Sequence, residues 1–217
     1  MLKLFIPESR VIRKTDYVLE SLRTAILLGD IQPGTRITEK QIRDLLNVSS
    51  SPVREALNQL EAEGLLTKSP HVGTKVAEIV VEDAKELYSI QALLQSSAVQ
   101  ICAKKIPEAD IREAEKLNGQ IRDVIESGKL DLASIKISNY RFHLIVCGMS
   151  VYPWLTRLIS ALWIRLPSKT VWTRPAEARA AIQYHERILD AIKKRDEIRA
   201  AGLMRKHLQR SQRVLYG

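Results

Sequence analysis

The spacing of apolar residues predicts three short helices in the first third of the chain. In each, apolar side chains recur every three or four positions, which places them on one face of a helix. Gly29 and Gly64 follow the first and third helices, and glycine is a common helix end. Residues 47–50 link the second helix to Ser51, the predicted cap of the third, so a tight turn joins them. The three predicted helices are residues 17–28, 39–46 and 52–63.

Local signals mark where the second and third helices begin. Thr38 followed by Gln41 has the spacing of a capping box, in which each side chain bonds the other residue's backbone N–H. Ser51 followed by Pro52 predicts a capping serine with proline at the first helical position. After the third helix, residues 65–76 can pair as a short hairpin. Together these elements predict a winged helix-turn-helix, with the hairpin as the wing.

Beyond Gly73 the pattern changes to long helical stretches separated by prolines and glycines. Their apolar residues recur at three- and four-residue steps, as in a packed bundle. We therefore expect a mostly α protein, with a winged helix-turn-helix over residues 1–78 and an antiparallel bundle of six to seven helices over residues 79–217. The predicted bundle helices are residues 82–104, 107–127, 131–149, 152–166, 175–194 and 196–214.

The start of the third helix is the predicted DNA-contacting end. The second helix of a helix-turn-helix can lie in the major groove with its N-terminal residues toward base edges. Arg54 can bond a guanine through two nitrogens or clamp a phosphate, and serine hydroxyls can bond either. A small helical subdomain with capping serines and a solvated arginine is the alternative. The predicted contacts are Lys40, Ser49, Ser50, Ser51 and Arg54, with His71, Gly73 and Lys75 from the hairpin tip.

Net charge does not carry the nucleic-acid prediction. The chain has a formal charge of +9 at pH 7. Residues 1–78 hold 11 basic against 10 acidic residues, and residues 79–217 hold 23 against 15. The basic excess therefore lies outside the predicted DNA-binding part, and the prediction depends on where individual residues are placed.

Three of the four histidines, His143, His185 and His207, fall in the predicted bundle, each on the apolar side of its helix. Burying three unpaired imidazoles would be costly, and a shared divalent cation would satisfy them. Asn139 lies four residues before His143 and projects from the same helix face. Two interpretations stay open at this point: core histidines held by hydrogen bonds, or a metal site made of Asn139 and the three imidazoles.

Residues 37–66 resemble the GntR family of bacterial regulators. The most specific parts are Pro-Val-Arg-Glu-Ala-Leu at residues 52–57 and Leu-Glu-Ala-Glu-Gly-Leu at residues 60–65. The resemblance implies a DNA-binding transcriptional regulator, expected to be a repressor, that binds operator half-sites as a homodimer. The family often has arginine where this chain has Ser50, so one base or phosphate contact of its relatives is expected to be missing.

The rest of the chain resembles the FCD ligand-binding domain of the FadR-like branch of that family. This implies that a small-molecule effector, expected to be an organic acid, controls operator affinity from within the bundle. It also implies a divalent metal, zinc or nickel, weakened because Asn139 stands where FCD domains commonly have aspartate. Gln91 and Gln95 stand where they usually have arginine and glutamate. We therefore expect an altered effector pocket with contacts at Gln91, Gln95 and Arg141.

Other classes of protein fit the sequence less well. An enzyme is not expected, because Asn139 cannot act as a general base and no His-Glu-x-x-His motif occurs. A helical-bundle metalloenzyme, and a metal-free regulator that senses an apolar or acyl ligand, are the alternatives. No apolar run reaches the roughly 18–20 residues that span a bilayer, and residues 1–7 are too short for a signal peptide, so we expect a cytoplasmic protein. Cys102 and Cys147 lie in apolar patterns and are expected to be buried thiols rather than a disulfide.

Overall fold

The computed structural model describes residues 13–69, 73–166 and 170–217. The chain separates into two units, Met1–Val80 and Val81–Gly217. In the described residues, the first unit combines helices with a small sheet, and the second is helical. The predicted fold class is thereby confirmed.

The first unit is a helix-turn-helix followed by a β-hairpin. Val18, Leu22, Ile42, Val53 and Leu60 are buried, so all three helices contribute to one core. Its elements are α1 (Lys14–Leu28), β1 (Arg36–Ile37), α2 (Glu39–Leu46), α3 (Ser50–Ala62), β2 (Leu66–Ser69) and β3 (Gly73–Val76).

The sheet has one strand more than the sequence predicts. β3 lies in the middle and pairs antiparallel with both β2 and β1. Leu66 lies opposite Val76 in the predicted hairpin, and Ile37 lies opposite Thr74 in the additional pairing. The two residues of β1 are too few to show an alternating pattern, so only the folded chain reveals that strand. The tip of the hairpin, with His71, lies outside the described residues.

The ends of α2 follow the predicted cues, whereas the start of α3 does not. The capping box is present: Gln41 N donates to Thr38 Oγ1 at 3.3 Å, and Thr38 N donates to Gln41 Oε1 at 2.9 Å. Asn47 then turns the chain with a φ of 51°. The prediction that Ser51 caps α3 is wrong, because the helix begins two residues earlier, after Ser49. Ser51 lies in the first turn, and its hydroxyl donates to Glu55 Oε1 at 3.1 Å.

The second unit contains six α-helices in its described residues, as predicted. α4 packs along α9, and α5 packs against both α6 and α8. Phe142, Ile145, Ile188, Ile192 and Met204 are buried in the shared core. No described helix is long and apolar enough to cross a membrane. The helices are α4 (Val81–Cys102), α5 (Glu108–Glu126), α6 (Leu132–Val146), α7 (Pro153–Trp163), α8 (Pro175–Lys193) and α9 (Glu197–Tyr216), with a 3₁₀ turn at Val171–Thr173.

Both cysteines are free and buried, as expected from their apolar surroundings. The Cys102 thiol donates to the Cys147 carbonyl oxygen at 3.3 Å. Burial raises the pKa of Cys102 to about 11 and raises the pKa of Cys147 well above its ordinary value. Both therefore stay protonated at neutral pH and act as small packing groups.

The turn that follows α6 depends on Gly148. Its φ of +82° is in the left-handed region, which side-chain-bearing residues rarely adopt. A β-carbon at this position would also overlap the Cys102 Sγ atom at the end of α4. The turn is therefore fixed both by its backbone conformation and by close packing.

Gly148→Ala should lower the free energy of unfolding by about 2–5 kcal/mol, because left-handed strain is added to overpacking. Urea denaturation followed by circular dichroism measures this change. Gly119→Ala is the control, since Gly119 lies inside α5 with nothing within 4 Å of an added β-carbon. That variant should gain about 0.5–1 kcal/mol from its higher helix propensity. Equal stability of the two variants would contradict the packing described for the turn.

Candidate functional sites

Arg54 projects from the start of α3, the end predicted to contact DNA. Its side chain is 69% exposed, and its Nε donates to Glu39 Oε2 of α2 at 2.8 Å. This hydrogen bond lowers the pKa of Glu39, and a smaller lowering comes from a Ser50 hydrogen bond. The two helices of the motif thus hold the guanidinium in place by its Nε. The terminal nitrogens of a guanidinium are the donors that suit a guanine edge or a phosphate.

The other predicted contacts of the motif lie around the same helix ends. Lys40, Ser49 and Ser51 are exposed, and Ser50 is half-buried. Lys40 directly follows Glu39, so it lies in the first turn of α2, next to the residue that pairs with Arg54. The structure therefore places a lysine, three serines and an arginine at the N-terminal ends of α2 and α3.

The wing carries a basic residue that the sequence analysis missed. Gly73 and Lys75 lie in β3 as predicted for the hairpin, both half-buried. Arg36 of β1 lies opposite Lys75, and its side chain lies beside Gly73, where an added β-carbon would come 3.2 Å from Arg36 Nε. Arg36 is exposed, so the sheet presents a pair of basic side chains. Its position just after the Pro33-Gly34 turn is the only sequence signal that could have indicated it.

The three bundle histidines converge in the core of the second unit. His143 comes from α6, His185 from α8 and His207 from α9. They are 1%, 0% and 4% exposed, and each can contribute one ring nitrogen to a set within 4.8 Å of one another. This convergence is what their positions on the apolar helix faces predict.

Burial keeps these imidazoles neutral. Desolvation lowers the pKa of His143 and His185 well below the ordinary value, and the neighbouring histidines lower it further. The pKa of His207 falls to about 4, also through desolvation. Each ring therefore carries one proton and one lone pair at neutral pH, which is the state that binds a metal ion.

Two amide side chains contact the outer nitrogens of the histidines. His143 Nδ1 lies 2.7 Å from Gln95 Oε1, and His185 Nδ1 lies 2.9 Å from Asn118 Oδ1. On the inner side, His185 Nε2 and His207 Nε2 are 3.3 Å apart. The Phe142 ring stacks on His185 with centroids 4.0 Å apart, so the cluster is walled by an aromatic side chain.

Asn139 supplies a test of whether the cluster fits a cation. It lies one helical turn before His143 on α6. Its Oδ1 is buried and accepts no hydrogen bond from any residue that the structure describes. A buried oxygen without a donor is costly, and a cation next to it would remove that cost. Three converging neutral imidazoles, with an orphaned oxygen one turn before His143 on α6, fit a divalent metal of the zinc or nickel class.

Of the residues predicted to bind the effector, two are buried near the histidine cluster and one lies on the surface. Gln91 and Gln95 are fully buried in α4, and Gln95 reaches the cluster through His143. Arg141 is not brought to the cluster: its side chain is 57% exposed and pairs with Glu113 at 3.4 Å. Helical spacing alone could have indicated this, because Arg141 lies two residues from His143, about 200° around the helix, and so points away from it.

Comparisons with known proteins place the chain in a family. The family described as "FCD domain" matches residues 86–210, and the family described as "Bacterial regulatory proteins, gntR family" matches residues 14–76. The chain therefore belongs to the GntR-family regulators that carry an FCD domain, which confirms both resemblances. It is a DNA-binding transcriptional regulator, and neither family supports the metalloenzyme alternative.

Individual relatives agree with this assignment over most of their length. YdhC of Bacillus subtilis, an HTH-type transcriptional regulator, is 28% identical over 85% of this chain and 84% of its own. The HTH-type regulator McbR of Escherichia coli is 27% identical over 92% of this chain and 91% of its own. A solved structure of E. coli McbR matches with a TM-score of 0.85 and 26% identity, covering 95% of this chain and 98% of its own. A probable repressor of a D-xylose utilization operon, from Paenarthrobacter nicotinovorans, is 27% identical over 84% of this chain.

Proposed function

We propose that this regulator is a repressor whose operator affinity is controlled by a small organic acid bound in the helical bundle, with residues 1–78 as the DNA-binding domain and residues 79–217 as the effector domain. The observation that carries the DNA-binding half is Arg54, exposed at the start of α3 and held by Glu39. The repressor named for D-xylose utilization supports the mode of regulation.

The proposed roles of the DNA-contacting residues follow from their exposure and chemistry. Arg54 reads a base edge or clamps a phosphate, and Ser49 and Ser51 bond the adjacent backbone. Lys40 neutralises a phosphate from the start of α2. In the wing, Lys75 contacts the flanking groove, and the same is proposed for Gly73 and His71. Ser50 lacks the charge that relatives often have there, so Arg54 provides a larger share of the base contacts.

Arg54→Ala should weaken binding to the DNA upstream of the regulator's own gene by about 5- to 150-fold, since a bidentate base contact is worth about 1–3 kcal/mol. Fluorescence anisotropy with labelled DNA at two salt concentrations measures the change. The control is Arg112→Ala, which removes an exposed arginine of α5 and should leave affinity unchanged. An equal effect of both variants, or none, would count against the docking of α3 in the groove.

The effector half of the proposal concerns the histidine cluster. His143, His185 and His207 would hold a divalent cation, with Asn139 as a neutral oxygen ligand. A cation held there would supply positive charge for a carboxylate oxygen of the effector. The effector shifts the protein toward a state of low operator affinity only if it binds that state more tightly than the operator-bound state. We leave Arg141 out of this site, because its charge is already paired on the surface.

Asn139→Asp should raise the affinity for zinc by about tenfold or more, because a charge-assisted contact is worth roughly 1.5–3 kcal/mol. Without metal the same variant should be less stable than the wild type, since the new carboxylate is buried without a partner. Zinc competition with a chromophoric chelator and melting curves with and without zinc test both expectations. Gln120→Glu, an exposed amide-to-acid change on α5, is the control. Unchanged zinc affinity in Asn139→Asp would exclude Asn139 as a ligand.

A metal-free regulator is favoured by one other feature. A cleft of about 520 Å³ lies beside the 3₁₀ turn, and its lining includes Val124, Ile125, Leu130 and Trp172 together with the charged residues Glu126 and Arg179. The centroids of the Trp172 and His185 rings are 6.3 Å apart, so an apolar or acyl ligand in this cleft would contact a side chain that neighbours the histidine cluster. An effector that binds equally well after chelation of all metal would support this alternative.

A homodimer is the proposed assembly, and α4 has a face suited to it. Ile90, Leu93 and Ile101 are 37%, 57% and 54% exposed, and with Ser97 they lie on one side of the helix. We call these four residues the α4 stripe. Exposed apolar residues that line one helix face favour a protein contact over isolated surface positions. A second copy presents the same stripe, as a two-fold axis requires.

Leu93→Glu should convert the dimer into a monomer, because two charges would then face each other across an apolar interface. Light scattering after size exclusion gives the mass in solution. Leu130→Glu is the control, since Leu130 is also half exposed but lies outside α4. A Leu93→Glu protein that keeps the dimer mass, or a monomeric wild type, would contradict the role of the α4 stripe.

A further inference from the structure

A chain of buried amides joins the backbone of α7 to a histidine of the cluster. Gln91 Nε2 donates to the Ile159 carbonyl oxygen at 3.1 Å, and Gln95 Nε2 donates to Gln91 Oε1 at 2.7 Å. Gln95 Oε1 then faces His143 Nδ1 at 2.7 Å. Gln91 and Gln95 are fully buried, so these contacts are shielded from bulk solvent.

The backbone carbonyl sets the direction of the whole chain. The Ile159 oxygen can only accept, so Gln91 must turn its NH₂ group toward it and its Oε1 toward Gln95. Gln95 must in turn donate to Gln91 and keep Oε1 toward the histidine. An amide oxygen can only accept, so the His143 proton must be on Nδ1. His143 Nε2 therefore carries the lone pair.

A second, independent amide acts on His185 in the same way. Asn118 Nδ2 donates to the Ile182 carbonyl oxygen at 3.4 Å, which leaves its Oδ1 to face His185 Nδ1 at 2.9 Å. The His185 proton is thus also on Nδ1, and its lone pair is on Nε2. In the metal-free protein, His207 must donate from Nε2 to His185 Nε2 across the 3.3 Å between them.

We propose that Gln91, Gln95 and Asn118 are positioning residues that fix the tautomers of His143 and His185, so that two Nε2 lone pairs are already presented to a metal. This rests on the proposed metal centre and revises one earlier expectation. Gln91 and Gln95 are not effector ligands, because their amides already take part in the chain to His143. The hydrogen bonds of Gln91 go to Ile159 and Gln95, so Gln91 acts on His143 through Gln95.

The tautomers can be measured without metal or mutation. In full-length wild-type protein labelled with ¹⁵N-histidine and stripped of metal with EDTA, two-bond ¹⁵N–¹H spectra report which ring nitrogen carries the proton. His143 and His185 are expected with the proton on Nδ1, and His207 with the proton on Nε2. A His143 or His185 proton on Nε2 would overturn the proposal.

The Gln91→Met variant tests whether Gln91 sets the His143 tautomer through Gln95. Without Gln91, Gln95 can turn its amide around, and His143 loses the acceptor that holds its proton on Nδ1. The variant should show a mixed His143 tautomer and bind zinc about 10–100-fold more weakly, the usual cost of losing an outer partner of a metal ligand. The double variant Gln91→Met with Gln95→Met should bind zinc no more weakly than Gln95→Met alone, because the two act in series.

Gln100→Met is the matched control, an exposed glutamine of the same helix, and should leave both readouts unchanged. Circular dichroism and urea denaturation check that each variant folds. A Gln91→Met protein that is only less stable, with wild-type tautomers and zinc affinity, would show a packing role and overturn the proposal. If the wild type has the expected tautomers but binds no zinc, the metal centre fails and the tautomer assignment stands. If it binds zinc but has the opposite tautomers, the tautomer assignment fails and the metal centre stands.

Discussion

Three imidazoles are buried side by side in the helical unit, and each must replace the hydrogen bonds that water would supply. Protonating them is disfavoured, because burial lowers the pKa of all three. The remaining solution is a fixed set of partners, and the neighbouring helices provide it: Gln95 comes from α4 and Asn118 from α5. The positions of these helices are therefore tied to the requirements of the ring nitrogens, and the buried amides of Gln91, Gln95 and Asn118 are themselves paired at both ends.

The first unit has the opposite requirement, since the groups proposed to contact DNA must remain exposed to solvent. Arg54 is exposed, and its ion pair with Glu39 uses only Nε, so the pair orients the side chain without burying it. An exposed ion pair adds little stability in water. For the proposed DNA contact, its value lies in holding one cation at the start of α3 beforehand, which would lower the ordering cost of binding.

Much of this could be predicted from the sequence, because the signals were local. Helical spacing located the six bundle helices, and Thr38 with Gln41 marked a capping box that the structure contains. The start of α3 could not be placed, because three consecutive serines offer equivalent caps. The role of Gln91 was invisible for another reason: its partner Ile159 is 68 residues away, and no spacing rule relates them. Polar residues on an apolar helix face indicate a buried hydrogen-bond network, but which residues pair with each other is seen only in the folded structure.

The helix that holds the amides also has the outward apolar stripe, and helical geometry separates the two. Taking about 100° per residue, Gln91 and Gln95 lie roughly 100–140° around α4 from Ile90, while Leu93 and Ile101 fall within about 60° of it. One face of α4 therefore touches His143, and another faces the surface where a second copy is proposed to dock. Packed helices move as rigid elements rather than deforming continuously. If a ligand changed the position of His143, the Gln95 contact would pass that change to α4, so the histidine cluster and the proposed dimer contact share one structural element.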